Sequence, residues 1–163
     1  GFPAAAGVQV AHPDSLVVDI AGEASFLMNM QELSTVKQYR LPVKVFILNN
    51  EYMGMVRQWQ EFFHGGRYAE SYTDSLPDFV ALAESFGMKG LRATKPDEVD
   101  ALIKEMIDHD GPVVADVQVE KMENVYPMIP PGESLKQLIE APEEGASVSP
   151  GSVSGRPLPP GDF

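Results

Sequence analysis

Two polar segments early in the chain contain residue types that could hold a metal ion and a phosphate. Gly22-Glu23-Ala24-Ser25 follows one apolar run, and Asn49-Asn50-Glu51-Tyr52 follows another. The first offers a carboxylate and the second offers a side-chain amide oxygen and backbone carbonyls, which suit Mg²⁺ better than Zn²⁺. A small-residue turn at a helix start also presents N–H groups and a positive dipole end, which favour a diphosphate. Either segment alone is more simply a solvated turn, so the prediction depends on their meeting in the fold.

The elements around these segments predict that they do meet. Leu16–Ile20 and Val43–Leu48 are apolar and indicate two buried parallel strands. Between them, Asn29 is a plausible N-cap, Glu32 completes a capping box, and the helix that follows carries one apolar residue per turn. The residues expected on its packing face are Met30, Leu33, Val36 and Tyr39. Because strand–helix–strand units are right-handed, both polar segments should emerge at the sheet edge where α/β proteins bind ligands.

The remaining chain continues the alternation of helices and strands. Helices are predicted over residues 1–11, over Gly54–Phe63, from Asp78 to a C-cap at Gly87, and from Pro96 to just before Gly111. Further strands are predicted at Met88–Ala93 and Val113–Val119. This order is typical of an α/β fold with a doubly wound, mainly parallel sheet and helices on both faces.

Composition limits the classes of function. The chain has 163 residues, a formal net charge of −12 and no cysteine. The acidity argues against a nucleic-acid partner, because no basic patch is available to neutralise phosphates. No apolar run approaches the length of a membrane span, and the lack of cysteine fits a reducing compartment, so we expect a cytoplasmic protein without membrane contact. The start at Gly1, without an initiating Met, leads us to expect a fragment of a longer chain.

Several stretches resemble a known enzyme family. The Gly22-Glu23-Ala24 and Asn49-Asn50 segments are similar to the thiamine diphosphate motif, in which Gly-Asp-Gly precedes Asn-Asn at the end of the next strand. SFLMNMQEL, LPVKVFILNN, GMVRQWQ and HGGRYAESY further resemble the carboxyl-terminal domain of the acetohydroxyacid synthase (acetolactate synthase) catalytic subunit. The similarity runs from Gly1 to about Glu140. It implies a cofactor-binding domain over residues 1–140, truncated at its amino end, and we expect residues 141–163 to form a disordered tail.

The resemblance implies a cofactor site. Mg²⁺ would be held by Glu23, Asn50 and the backbone carbonyl of Tyr52, and the diphosphate by residues of the first segment and its neighbours. The residues expected to bind thiamine diphosphate are Gly22, Glu23, Ala24, Ser25, Asn50, Tyr52, Gly54, Met55 and Val56. Met55 and Trp59 would line the substrate channel. Two positions depart from the generic thiamine diphosphate motif: Glu23 stands where the motif has Asp, and Ala24 stands where it has its second Gly. The longer Glu side chain must be accommodated by the turn or by the metal geometry.

The resemblance also implies a reaction and partners. The family decarboxylates pyruvate and joins the two-carbon unit to pyruvate or 2-oxobutyrate, in the biosynthesis of the branched-chain amino acids isoleucine and valine. It implies a homodimer or tetramer with the site at a subunit interface, a regulatory small subunit, and FAD held by another domain. The activating glutamate of the family lies on an amino-terminal domain of the partner subunit. We therefore expect no catalytic residue within this fragment and no turnover by it alone.

The residues leave two other functions open, and two further interpretations of single elements. The chain could belong to another thiamine diphosphate-dependent 2-oxo acid decarboxylase, oxidase or carboligase, or be a non-catalytic α/β module. Periodicity alone favours a core role for Met55, Val56 and Trp59, whereas the resemblance places them at the ligand. Arg67, in the loop after the Trp59 helix, could attract a carboxylate substrate, although an exposed Arg is more often only solvated.

Overall fold

A computed structural model describes residues 1–142, and these form two compact units. The first unit comprises Gly1–Tyr52 and Thr73–Lys121, and the second comprises Met53–Tyr72 and the segment from Met122. The part of the predicted tail from residue 143 on lies outside the described residues.

The first unit is built on a four-stranded parallel sheet. Its strands are β1 (Val18–Gly22), β2 (Lys44–Asn49), β3 (Lys89–Ala93) and β4 (Val113–Gln118). They lie side by side in the order β1-β2-β4-β3, and every neighbouring pair is parallel. The predicted α/β class with a mainly parallel sheet is thereby confirmed.

Six α-helices occur in the described chain. They are α1 (Phe2–Ala11), α2 (Glu23–Leu27), α3 (Glu32–Gln38), α4 (Gly54–Phe63), α5 (Phe79–Ser85) and α6 (Val99–Asp108). All except α4 belong to the first unit. A 3₁₀ turn at Pro96–Glu98 leads into α6.

The strand order explains why helices cover both faces of the sheet. The connection from β3 to β4 runs back along the sheet, so a right-handed crossover places α6 on the face opposite the other helices. The core on the α6 face contains Leu102, Met106 and the alternate β4 residues Val113, Ala115 and Val117. On the other face, apolar residues of α1, α2, α3 and α5 surround Val45, Ile47 and Val114.

The start of the first strand–helix–strand unit differs from its prediction. No loop separates β1 from the helical region, because α2 begins at Glu23, directly after its N-cap Gly22. The predicted Asn29 cap is wrong: α3 follows Gln31, and Glu32 accepts a hydrogen bond from Thr35 Oγ1 at 2.8 Å. A five-residue helix such as α2 is too short to produce a readable period in the sequence.

Burial in this unit also differs from its prediction. Leu33 and Val36 are buried, but Met30 and Tyr39 lie outside α3 and are exposed. The strand predicted to be buried forms the edge of the sheet, with Val18 41% and Ile20 69% exposed. An edge strand has a paired neighbour on one side only, and helix cover is incomplete over its outer face. Apolar composition alone could not distinguish an edge from a central position.

Helix α4 forms the centre of the second unit and has the predicted bounds. Its buried side chains are mainly polar, which the sequence did not predict. Arg57 is fully buried and pairs with Glu61 at 2.7 Å, and it donates to Asn124 Oδ1 at 2.6 Å. Gln58 donates to the Val125 carbonyl at 3.0 Å. These contacts hold the segment after Met122 against one face of α4.

Candidate functional site

The Glu23 carboxylate lies at the junction between β1 and α2. Although charged by type, this side chain is only 1% exposed. Its Oε1 accepts a long hydrogen bond from Thr73 Oγ1, at 3.4 Å, and the carboxylate also accepts from the backbone N–H of Asn50. Its Oε2 is buried and has no hydrogen-bond partner within residues 1–142. An unsatisfied buried carboxylate oxygen is costly unless a cation or a proton occupies its free position.

The surroundings of Glu23 act on its pKa in opposite directions. Burial is the largest effect and raises the pKa of Glu23 above its ordinary value. Hydrogen bonds from its own backbone, from Asn50 and from Thr73 oppose this shift, while the negative charge of Asp116 adds to it. The net result is a raised pKa for Glu23, because the desolvation of its charged form outweighs the hydrogen bonds that the carboxylate accepts.

The second polar segment forms a turn at the end of β2. Asn50 Oδ1 accepts from the Tyr52 N–H at 3.2 Å, and Asn49 Oδ1 accepts from the Glu51 N–H at 3.2 Å. Glu51 adopts φ of +58°, in the left-handed region that non-glycine residues rarely occupy. The Thr73 N–H donates to the Glu51 carbonyl at 2.8 Å, which ties the turn to the returning chain.

The fold brings Glu23 and Asn50 together, as the strand–helix–strand argument predicted. Gly22 is paired with Leu48 in the parallel register of β1 and β2, so the two segments leave neighbouring strands at the same edge. The hydrogen bond from the Asn50 N–H to the Glu23 carboxylate joins them directly. Ala24 lies within the α2 helix and needs no left-handed backbone, so the family's second glycine is not required at this position.

The donor set fits Mg²⁺. The buried Glu23 carboxylate has a free oxygen, and the amide of Asn50 lies in the adjoining turn together with the backbone of Tyr52. No group of three or more His, Cys, Asp or Glu residues suited to a metal occurs within the described chain. A cation held here would therefore depend on one carboxylate and on neutral oxygens of the second segment, which are hard ligands of the kind that Mg²⁺ prefers.

Three residues around this edge were not among the predicted site residues. Thr73 donates to Glu23, although it lies far along the chain and carries no sequence signal. Asn49 was treated only as part of a turn, and its side chain orients that turn. Asp116 is buried in β4 beside Asn49 and influences the pKa of Glu23. A charged residue inside the apolar run Val113–Val117 was a signal that could have identified Asp116.

The second unit contains an apolar cavity of about 720 Å³ along α4. Its apolar wall is formed by Met55, Val56, Trp59 and Ala69, and its polar lining by Gln60, His64 and Arg67. Met55 and Val56 are 51% and 46% exposed, so they are not core residues, which contradicts the interpretation from periodicity alone. Gly54 is the first residue of the same helix.

The opposite side of α4 explains this exposure. Arg57, Gln58 and Glu61 are buried there by contacts with the segment after Met122. Phe62 of α4 is also buried there, and it packs against Tyr126 with ring centroids 5.7 Å apart. The buried polar face turns Met55, Val56 and Trp59 toward the cavity. Helical periodicity could not predict this orientation of α4, because it assumes that the apolar face of a helix is the buried one, whereas here the polar face is buried by hydrogen-bonding partners.

None of the helices within residues 1–142 has the length and apolar character needed to cross a lipid bilayer.

The comparison with protein families gives one match over most of the chain. Residues 1–117 match the family described as "Thiamine pyrophosphate enzyme, C-terminal TPP binding domain". Among solved structures, the thiamine diphosphate-dependent 4-hydroxybenzoylformate decarboxylase of Rhodococcus jostii RHA1 is similar, with a TM-score of 0.68 and 30% identity. That similarity covers 74% of this chain and 23% of the decarboxylase.

Curated relatives are more similar in sequence. The chain is 51% identical over 140 residues to the acetolactate synthase large subunit of Pyropia yezoensis, which covers 85% of this chain and 24% of that subunit. It is also 51% identical over 140 residues to the mitochondrial acetolactate synthase catalytic subunit of Saccharomyces cerevisiae, covering 85% and 20%. The chain thus spans about a quarter of the length of such relatives, and the predicted resemblance to acetolactate synthases is confirmed. The fold, the paired segments at one sheet edge and the family match together establish that this chain belongs to the thiamine pyrophosphate enzymes, as a C-terminal TPP-binding domain.

Proposed function

We propose that this chain is the cofactor-binding domain of an acetolactate synthase, an enzyme of branched-chain amino-acid biosynthesis. The observation that supports the proposal is the 51% identity over 140 residues to acetolactate synthase subunits of both Pyropia yezoensis and Saccharomyces cerevisiae. The reaction would decarboxylate pyruvate and join the two-carbon unit to pyruvate or 2-oxobutyrate.

In this proposal Glu23, Asn50 and the Tyr52 carbonyl hold Mg²⁺. The free buried oxygen of Glu23 supports the assignment, because a divalent cation would satisfy it. The Glu side chain, longer than the family's Asp, is accommodated by contacts with Asn50 and Thr73.

The diphosphate would be bound beside the metal, at the start of α2. The N–H groups in the first turn of a helix lack intrahelical acceptors, so those of Ala24 and Ser25 suit phosphate oxygens. Gly22 provides a strand end without a side chain, and Ser25 can add its hydroxyl. The bound thiamine diphosphate supplies the electron sink for decarboxylation, and the chain's own residues bind and orient it.

The cavity on α4 would serve the organic part of the ligands. Gly54, Met55 and Val56 would contact the cofactor rings, and Trp59 would shape the acceptor pocket. An apolar wall with few polar groups is typical of small-molecule sites, and this supports the assignment. Arg67 in the polar lining would attract the carboxylate of a 2-oxo acid.

The whole protein is proposed to be a dimer or tetramer with its site at a subunit interface. A regulatory small subunit and FAD, held by a further domain, belong to the same proposal. A cytoplasmic location rests on the lack of cysteine, which fits a reducing compartment.

The test uses the complete protein that carries this chain, supplied with pyruvate, Mg²⁺ and thiamine diphosphate. We expect acetolactate, and we expect its formation to stop when the cofactor is omitted. Glu23→Gln removes the anionic ligand and should lower the Mg²⁺ affinity by at least about 100-fold. Glu23→Asp keeps the charge and should stay within about tenfold of the native affinity. Glu84→Gln removes an exposed carboxylate of the same type and should change nothing.

Products other than acetolactate would indicate a different reaction. Acetaldehyde would indicate a decarboxylase, and acetate would indicate an oxidase. Of these two, a decarboxylase is the second candidate function, because the similar Rhodococcus structure is a decarboxylase. Absence of both product and cofactor binding would favour a non-catalytic module. Normal Mg²⁺ affinity in Glu23→Gln would refute the metal assignment while leaving the product assay to decide the reaction.

A further inference from the structure

Asp116 is a buried carboxylate at the centre of a polar network below the proposed metal site. It is 1% exposed and lies on the central strand β4, beside β2 and β3. Its Oδ1 accepts from Asn49 Nδ2 at 2.9 Å, and its Oδ2 accepts from Arg92 Nε at 3.0 Å. Gln118 Nε2 lies 3.3 Å from both oxygens. A carboxylate only accepts, so each of these neighbours must present an N–H to it.

This network decides which way the Asn49 amide points. Because Asn49 Nδ2 donates to Asp116, its Oδ1 is directed away from Asp116, and there it accepts from the Glu51 N–H at 3.2 Å. A reversed amide would place oxygen against a carboxylate and an NH₂ group against the Glu51 N–H, losing both bonds. Asp116 therefore selects the one orientation of Asn49 that caps the turn.

The turn needs such support. Glu51 has φ of +58°, and a non-glycine residue in this region persists only when surrounding contacts hold it. Glu51 lies between Asn50 and Tyr52, the two ligands that the proposed metal site takes from this turn. A change in the Asn49 contact would therefore move both ligands at once, together with the Asn50 N–H that contacts Glu23.

We propose that Asp116 is a positioning residue for the metal site, acting through the Asn49 side chain on the turn that supplies Asn50 and Tyr52. The inference rests on the proposed function, since it assumes that this turn binds Mg²⁺. Asp116 itself is no ligand: its two oxygens are already used by Asn49, Arg92 and Gln118.

A cycle of variants separates positioning from simple charge attraction. Mg²⁺ is titrated calorimetrically into the complete protein saturated with thiamine diphosphate, using the native form, Asp116→Asn, Asn49→Ala and the double variant. Each single change should raise the Kd for Mg²⁺ about tenfold, the loss typical of outer contacts of a metal site. In the Asn49→Ala background, Asp116→Asn should raise the Kd for Mg²⁺ by less than a further factor of about two, because the Asn49 side chain that links Asp116 to the turn is absent.

A matched control addresses fold stability and Arg92. Asp78 binds the same Arg92 through Nη2 at 2.7 Å and caps α5, but it does not contact Asn49. Asp78→Asn keeps a capping oxygen and should leave the Kd for Mg²⁺ within about twofold of native. Asp116→Glu keeps the charge but displaces the oxygens, and should raise the Kd about tenfold; it also replaces Asp116→Asn if that variant does not fold.

A second readout needs no metal. In the cofactor-free protein, hydrogen exchange of the Glu51 N–H should become at least about threefold faster in Asp116→Asn and in Asn49→Ala, and stay unchanged in Asp78→Asn. The inference is overturned if Asp116→Asn leaves the Kd unchanged, if it acts equally in both Asn49 backgrounds, or if Asp78→Asn has the same effect. A native protein that binds no Mg²⁺ with thiamine diphosphate would overturn the proposed function, and this inference with it.

Discussion

Asp19, within β1, and Glu23, the first residue of α2, are two buried carboxylates. Each has an oxygen without a hydrogen-bond partner in the described residues. Glu23 lies in a polar edge with Asn50 and Thr73 beside it, which fits a cation. Asp19 lies within β1, and burial raises its pKa above the ordinary value. A buried carboxylate oxygen without a partner thus has a functional interpretation at Glu23, whereas at Asp19 it only lowers stability.

We predict that Asp19→Asn stabilises the protein at neutral pH. A carboxyl whose pKa is raised by folding favours the protonated native form, so its contribution falls as pH rises through the raised pKa. Asparagine resembles the protonated state and should increase the free energy of unfolding at pH 7 by about 1 kcal/mol. The gain should disappear below the ordinary pKa of 3.8, where both states are protonated.

Urea denaturation at pH 7 and near pH 3.5 measures this difference. Asp14→Asn serves as the control, because Asp14 is an exposed turn residue and its change should have no effect at either pH. A gain of equal size at both pH values would show that ionisation of Asp19 is not the cause.

At the scale of elements, the packing of α5 on β3 depends on a glycine. A Cβ atom at Gly90 would lie 2.8 Å from the Val80 Cα, Cγ1 and carbonyl oxygen. Two of these atoms are backbone, so the helix would have to move as a whole. The close approach brings α5, with its N-cap Asp78, against the strand that carries Arg92.

We predict that Gly90→Ala lowers the free energy of unfolding by about 2 kcal/mol, because overpacking forces α5 from β3. Gly7→Ala is the matched control: it lies in α1 with nothing within 4 Å of its Cβ position. That change should stabilise the protein by about 0.5–1 kcal/mol through helix propensity. Thermal or urea unfolding of both variants gives the comparison, and a loss below about 0.5 kcal/mol for Gly90→Ala would contradict the packing argument.

The chain as a whole matches only part of the subunits to which it is similar. It spans 24% of the Pyropia acetolactate synthase subunit. The proposed metal site draws on side chains and backbone of this chain alone, whereas the family resemblance puts the activating glutamate on a domain of a partner subunit. The isolated 163-residue chain should therefore bind Mg²⁺ and thiamine diphosphate but should not turn over substrate.

We predict that the isolated chain forms acetolactate at least about 100-fold more slowly than the complete protein, since a missing acid–base group typically costs that much or more. The measurement is acetolactate formation from pyruvate at equal Mg²⁺ and thiamine diphosphate concentrations. The complete protein with Glu23→Gln provides a second reference, in which the activating group is present but the metal ligand is absent. Turnover by the isolated chain near that of the complete protein would refute the division of roles.

The class of fold, the bounds of α4 and the proximity of Glu23 to Asn50 could all be predicted from the amino-acid sequence. These features follow from local signals, namely apolar runs, helical spacing and polar residues at strand ends, combined with the handedness of strand–helix–strand units. The family resemblance came from the same segments and was confirmed by the match over residues 1–117.

The residues that support those segments could be identified only from the folded chain. The contact of Thr73 with Glu23, the link from Asp116 to Asn49 and the burial of Arg57 against Asn124 each join residues at least 50 positions apart. The exposure of Ile20 and of Met55 likewise depends on which elements cover them. Such pairings arise from sheet order and from packing between distant segments, and no local period in a single sequence records them.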